Sequence, residues 1–292
     1  LKHRVAHILN PFIAPATSDL SYAQPITFES MRIAREQALP TMDVELLAAC
    51  YEEDKTMVPP YFKTTEFLKK SVLDYGNFEK KIRLPILAEI LEKAMATSTA
   101  DYIIYTNADI GLYPDFYTRL GKLLDQGYDA LVLNRTRIEP LYTQPSDLEK
   151  IWAQKGKSHP GFDCFVLHRS LFNQLFLENI CIGVPFIEIS FSQNLFHLAK
   201  NFKLYETDHY TFHIGMEIFK NRAPREYFLY NKQEYKKVIQ QLDPHLKSTR
   251  LPYSDLILPA RIIRWGLHPC IPIRLALRLE WKRIFKGSTD TR

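Results

Sequence analysis

The apolar run Tyr102-Ile103-Ile104-Tyr105 stops at Asn107-Ala108-Asp109, and a proline-led helix is expected from Pro114 onward. A buried strand that ends in a carboxylate holds that group at a rigid point, where it can serve as a hard oxygen ligand. Our reading of the stretch is a site for a divalent cation that carries a nucleotide diphosphate. Other carboxylates stand in comparable places. Glu52, Glu53 and Asp54 close the β-type run DVELLAACYEED, Asp163 lies in GFDCF, and Glu188 lies in FIEIS. Arg83 precedes a helical stretch and could meet a phosphate through two parallel hydrogen bonds, although a surface arginine fits the same position.

The elements that must carry these residues follow from periodicity. RVAHILNPF reads as an opening strand closed by Asn10-Pro11, and PITFESMRIAREQAL reads as a helix ended by Pro40. Leu84, Leu87, Leu91 and Met95 recur at helical spacing ahead of the strand DYIIYTN. Phe116, Leu120 and Leu123 or Leu124 give the next helix an apolar face, Gly127 ends it, and YDALVLN is another strand. Alternation of strand and helix implies an α/β fold with a largely parallel sheet covered on both faces and a ligand site at the carboxyl ends of its strands. From Arg135 to Asp163 the chain reads as a long polar loop with a short helix around residues 147 to 153, a pattern frequent in lids and binding loops. Trp152 on that helix reads as an anchor or a sugar-stacking face, and His159 falls on the same excursion.

The whole chain sets outer bounds. With 292 residues, 46% of them hydrophobic, it can bury a full core. Cys50, Cys164, Cys181 and Cys270 show no zinc or disulfide spacing and read as buried thiols of a reducing, cytoplasmic compartment. No apolar run reaches the roughly 20 residues needed to span a bilayer, and the N-terminus reads as a strand, not a signal peptide. The net charge is +5, yet Arg261 to the end holds eight Lys/Arg against Glu280 and Asp290, or +6, which leaves −1 for the first 260 residues. A near-neutral body argues against nucleic acid as a partner.

Taken in order, ILAEILEKAMATSTADYIIYTNADIGLYPDFYTRLGKLLDQGYDALVLN, HPGFDCFVLHRSLF, VPFIEISFSQNLFHLAKNFKLYETD and TFHIG resemble the segments of a GT-A glycosyltransferase, most closely the inverting family-two type. The resemblance covers roughly residues 4 to 215. It implies a GT-A (nucleotide-diphospho-sugar transferase) fold over residues 1 to 220, a C-terminal extension over residues 221 to 292, and transfer of a sugar from a nucleotide donor to a hydroxyl of a glycan or lipid-linked acceptor. It also implies roles. Asp109 and His213 would hold Mn²⁺ or Mg²⁺, the imidazole favouring Mn²⁺. Asn107 stands where the family more often has Asp, removing one negative charge. Pro11, Glu52 and Arg83 would border the nucleotide, Glu188 would be the base, and Asp163 would bind the acceptor; either of the last two could instead be structural, capping a helix or pairing with Arg169. A nucleotidyltransferase would want a Gly-rich basic loop after the first strand, which NPFIAPATSDL does not supply. A catalytically inactive sugar-nucleotide-binding protein remains the rival reading.

In the tail, Arg274, Arg278 and Lys282 recur every four residues among Ile273, Leu277, Leu279, Trp281, Ile284 and Phe285. That is the composition of a helix lying on an anionic membrane surface, or of one that packs on the body or on a second subunit.

Overall fold

Along the central strands, successive side chains enter different cores. In β1 (His3–Leu9), Val5 and Leu9 join one cluster while Ala6 and Ile8 join the other. The same division separates Tyr102 and Ile104 from Ile103 and Tyr105 in β4 (Tyr102–Thr106). The period of two is that of a strand, and burial on both faces explains why these strands read as unbroken apolar runs. The helices α1 (Leu20–Ala38) and α3 (Phe116–Leu124) cover one face, while α2 (Leu87–Thr97) and α5 (Ile187–Leu198) cover the other.

This is a computed structural model, and it describes residues 2–139, 141–206, 210–214 and 223–286. The domain boundary expected between residues 220 and 221 lies outside them, as does the end of the tail. The remaining strands are β2 (Met42–Ala48), β3 (Lys63–Thr64), β5 (Ile110–Leu112), β6 (Ala130–Ile138), β7 (Lys157–His168), β8 (Phe202–Tyr205) and β9 (Thr211–Ile214). They form one mixed, mostly parallel sheet in the order β3-β2-β1-β4-β7-β6-β9-β5, with β8 beside β6. β7 runs antiparallel to both neighbours, and β5 antiparallel to β9.

That order forces a curl. Thr106 and Ile110 are four residues apart, so the chain between β4 and β5 spans at most about 14 Å. In a flat sheet, four strand spacings of about 4.8 Å would separate those strands by about 19 Å. The far edge of the sheet therefore bends back toward its middle, and the turn Asn107–Asp109 closes the circuit.

Several elements differ from their expected limits. α1 begins at Leu20 and contains Pro25 in its second turn, where the missing N–H forgoes one helical hydrogen bond. β6 continues through Ile138 and β7 starts at Lys157, so 11 of the 29 residues of the expected polar loop are strand. The register shifts at Leu133/Asn134 and Asn134/Thr136 kink β6, letting its first half pair with β8 and its second half with β9. What remains of the excursion carries α4 (Leu148–Trp152), and Trp152 is an anchor: its indole N–H donates to the Leu112 carbonyl at 3.0 Å. All four cysteines are free and buried.

After the sheet come α6 (Arg225–Leu242), α7 (Leu258–Leu267) and α8 (Ile273–Lys286). Val238, Leu242, Trp265, Leu275, Ala276 and Leu279 share one hydrophobic cluster with α2, α5 and the inner face of the sheet. Among the described residues no helix is long and apolar enough to cross a membrane.

Candidate active site

The turn that closes the strand circuit carries Asp109, and β9 carries His213 directly across from Ile110. Although 104 residues apart in sequence, the two side chains meet: His213 Nε2 lies 3.0 Å from Asp109 Oδ2. Both are mostly buried, with 11% of the His213 side chain and 19% of the Asp109 side chain exposed. Burial alone would raise the Asp109 carboxyl; His213, and then Arg135, outweigh it and hold the group below the ordinary carboxylate value.

Glu188 belongs to the first turn of α5. The residue before that helix, Phe186, has φ 91°, a left-handed conformation that costs a non-glycine residue about 1–3 kcal/mol. Burial raises the Glu188 carboxyl above its usual range; Arg135 opposes the shift, Asp109 adds to it, and His213 opposes it. Four ionisable groups drawn from β6, the β4–β5 turn, β9 and α5 thus act on one another at the carboxyl end of β4. Two neighbouring carboxyls are pushed in opposite directions, the condition under which one can accept a proton while the other stays ionised.

Arg135 is the centre of the cluster, and sequence reading missed it. By sequence it reads as the start of a loop; the continuation of β6 past its kink buries it. Its Nη1 donates to Asp163, a residue with 1% of its side chain exposed, while its Nε has no acceptor among the described residues. Arg169, the partner anticipated for Asp163 or Glu188, instead donates to the carbonyls of Met95, Ser98 and Ala100. Asn107 is held within the site, its amide carbonyl accepting the Tyr105 hydroxyl at 2.9 Å and its NH₂ group 3.5 Å from Asp163.

The residues expected around a nucleotide gather at the ends of β1 and β2. Pro11 is buried, and two residues on, the Ile13 N–H donates to Asp54 at 2.8 Å. Of the three consecutive acids Asp54 is therefore the one that ties the two strand ends together, while Glu52 is exposed. Arg83 stacks on the Tyr51 ring, its guanidinium carbon 3.6 Å from the ring centre, and pairs with Glu53. His159 lies on β7.

Asp109 and His213 suit a cation that arrives with phosphate oxygens better than one caged by protein alone, because Mg²⁺ and Mn²⁺ commonly take one or two protein ligands and complete their shell from substrate and water. Among the described residues there is no group of three or more His, Cys, Asp or Glu able to hold a metal ion.

No protein-family model matches the chain, and no curated protein matches it in sequence. Among solved structures it is similar to S. aureus TarS 1-349, with a TM-score of 0.49 and 8% identity over 99% of this chain and 75% of that one. The same protein in complex with UDP-GlcNAc gives 0.47 and 9%, covering 99% and 76%. M. tuberculosis glucosyl-3-phosphoglycerate synthase in complex with Mn²⁺, UDP and phosphoglyceric acid gives 0.47 and 13%, covering 82% and 78%. Likeness this distant assigns no activity to the chain.

Proposed function

We propose that the chain is a GT-A-like glycosyltransferase that moves a sugar from a nucleotide-diphosphate donor to an acceptor hydroxyl on a glycan or lipid-linked molecule, on the cytoplasmic side of a membrane. The observation that carries this reading is the Asp109–His213 pair at 3.0 Å with Glu188 beside it, at the carboxyl end of the sheet's central strands. Asp109 and His213 would hold Mn²⁺ or Mg²⁺ together with the donor's diphosphate, and the cation would supply Lewis-acid stabilisation of the leaving phosphates. Pro11, Glu52 and Arg83, with Asp54 and Tyr51, would border the nucleoside. Glu188, its proton affinity raised by burial, would take the proton of the acceptor hydroxyl on the side opposite the leaving group, which favours inversion over retention. Asp163, closed off by Arg135, would orient the site through that arginine and Asn107 instead of meeting the acceptor directly.

A second reading, sugar-nucleotide binding without transfer, is favoured by one observation: Asn107 has a neutral amide already engaged by Tyr105 where a second carboxylate would strengthen a cation site. Thermal-shift screening of nucleotide sugars with and without Mn²⁺, followed by turnover assays on any hit, separates the two. Metal-dependent stabilisation with turnover supports transfer, stabilisation without turnover supports the second reading, and no stabilisation by any nucleotide sugar overturns both.

A further inference from the structure

The last helix presents two apolar sides. Leu275, Ala276 and Leu279 of α8 are buried against the body. At 100° per residue, Leu277, Trp281, Ile284 and Phe285 project on the opposite arc, and all four are exposed, Trp281 by 56% and Phe285 by 61%. α7, packed against α8, adds exposed Ile263 and Leu267. Side chains that could cover an outward face are engaged elsewhere: Arg278 and Lys282 both pair with Asp243, and Glu280 is buried between Arg261 and Arg283. Arg278 and Lys282 thus flank the outward arc of α8, while the exposed Arg274 falls within it, between Trp281 and Phe285.

We propose that the outward face of α7 and α8 docks on an anionic lipid bilayer, with Leu277, Trp281, Ile284 and Phe285 entering the boundary between headgroups and acyl chains. Charge selects this occupant. Residues 258 to 286 carry seven Lys/Arg against Glu280, and counting Asp243, the shared partner of Arg278 and Lys282, leaves a net of +5, so a second copy seated on the same face would set like charge against like. An anionic surface instead attracts each exposed cation, and Trp with bulky aliphatic residues is the composition that partitions into the first 5–10 Å or so of a bilayer. The face is independent of the nucleotide-sugar reading, because none of its residues belongs to the cluster around Asp109.

The test uses the full chain. Vesicles of neutral phosphatidylcholine are compared with vesicles containing about one third phosphatidylserine, at 0.1 M and at 1 M salt, where the screening length falls from about 10 Å to about 3 Å. Binding is read by co-sedimentation and by quenching of Trp281 with lipids brominated on their acyl chains; Trp265, buried in the core, is the internal control. The expected result is binding to the anionic vesicles at 0.1 M, at least tenfold weaker binding at 1 M, and selective quenching of Trp281. Trp281→Glu with Ile284→Glu should weaken binding at least tenfold while leaving the melting temperature and nucleotide affinity unchanged. Failure to bind anionic vesicles at 0.1 M overturns the proposal, as does self-association in sedimentation velocity that the double variant abolishes, which would make the face a contact between copies.

Discussion

At the scale of single residues, the opposed shifts of Asp109 and Glu188 make the site testable by pH as well as by substitution. If Glu188 is the base, Glu188→Gln should leave nucleotide binding nearly intact and lower turnover about 10²-fold or more. Its raised proton affinity gives a second readout. A carboxyl whose folded value lies above its unfolded value stabilises the fold below the unfolded value and loses that contribution as pH rises through the folded one. Wild-type protein should therefore melt below Glu188→Gln at neutral pH, with the gap closing as the solution is acidified below the ordinary glutamate value of 4.5. A melting difference that is the same at pH 7 and pH 4 would show that burial does not raise the Glu188 carboxyl.

At the scale of elements, β5 is three residues long yet decides whether the site exists, because it sets Ile110 against His213 and Gly111 against Phe212. A Cβ on Gly111 would run into the Phe212 ring. Gly111→Ala is expected to cost about 1–3 kcal/mol by overpacking and to weaken nucleotide binding as well, since pushing Phe212 shifts the strand that carries His213. Urea unfolding together with nucleotide titration checks both, and full stability with native affinity would show that the ring yields freely. The sequence reveals the elements with apolar periodicity and hides those without it. β1, β4 and the first half of β6 stand out because both faces are buried. The second half of β6, Asn134-Arg135-Thr136-Arg137, is polar because it lines the curled end of the sheet, and it reads as loop until its pairing with β9 is seen. Asp109 and His213 were legible as types at strand ends. Arg135 was not, because nothing local marks an arginine whose burial depends on a kink one residue earlier.

At the scale of the whole molecule, burial of histidine should make the fold acid-sensitive. His7 is hydrogen-bonded to the Tyr117 hydroxyl at 2.8 Å and to the Thr106 hydroxyl at 2.9 Å, and burial lowers it from 6.5 to about 3. Burial likewise lowers His197 to about 3 and His268, stacked on Phe162, to about 4. The unfolded chain protonates these rings from about pH 6.5 downward while the fold resists, so each contributes stability above 6.5 that is lost on acidification toward its folded value. The slope is about 1.4 kcal/mol per pH unit per ring, and Glu188 opposes it with the weight of a single group. Urea unfolding between pH 7 and pH 4.5 should show a steady fall in stability, and a flat profile would mean that these rings are not kept neutral.

The three-residue turn between β4 and β5 has a further consequence for how anything reaches the cluster. Asp109 directly precedes β5 and His213 lies on β9, its paired neighbour, so the two cannot part unless β5 peels from β9. This side of the cluster is consequently as stiff as the sheet itself. Any gating must fall to groups outside these strands, such as Arg83, which rests on Tyr51 beyond the end of β2. Such groups can be remodelled while Asp109, His213 and the buried Arg135 keep their spacing.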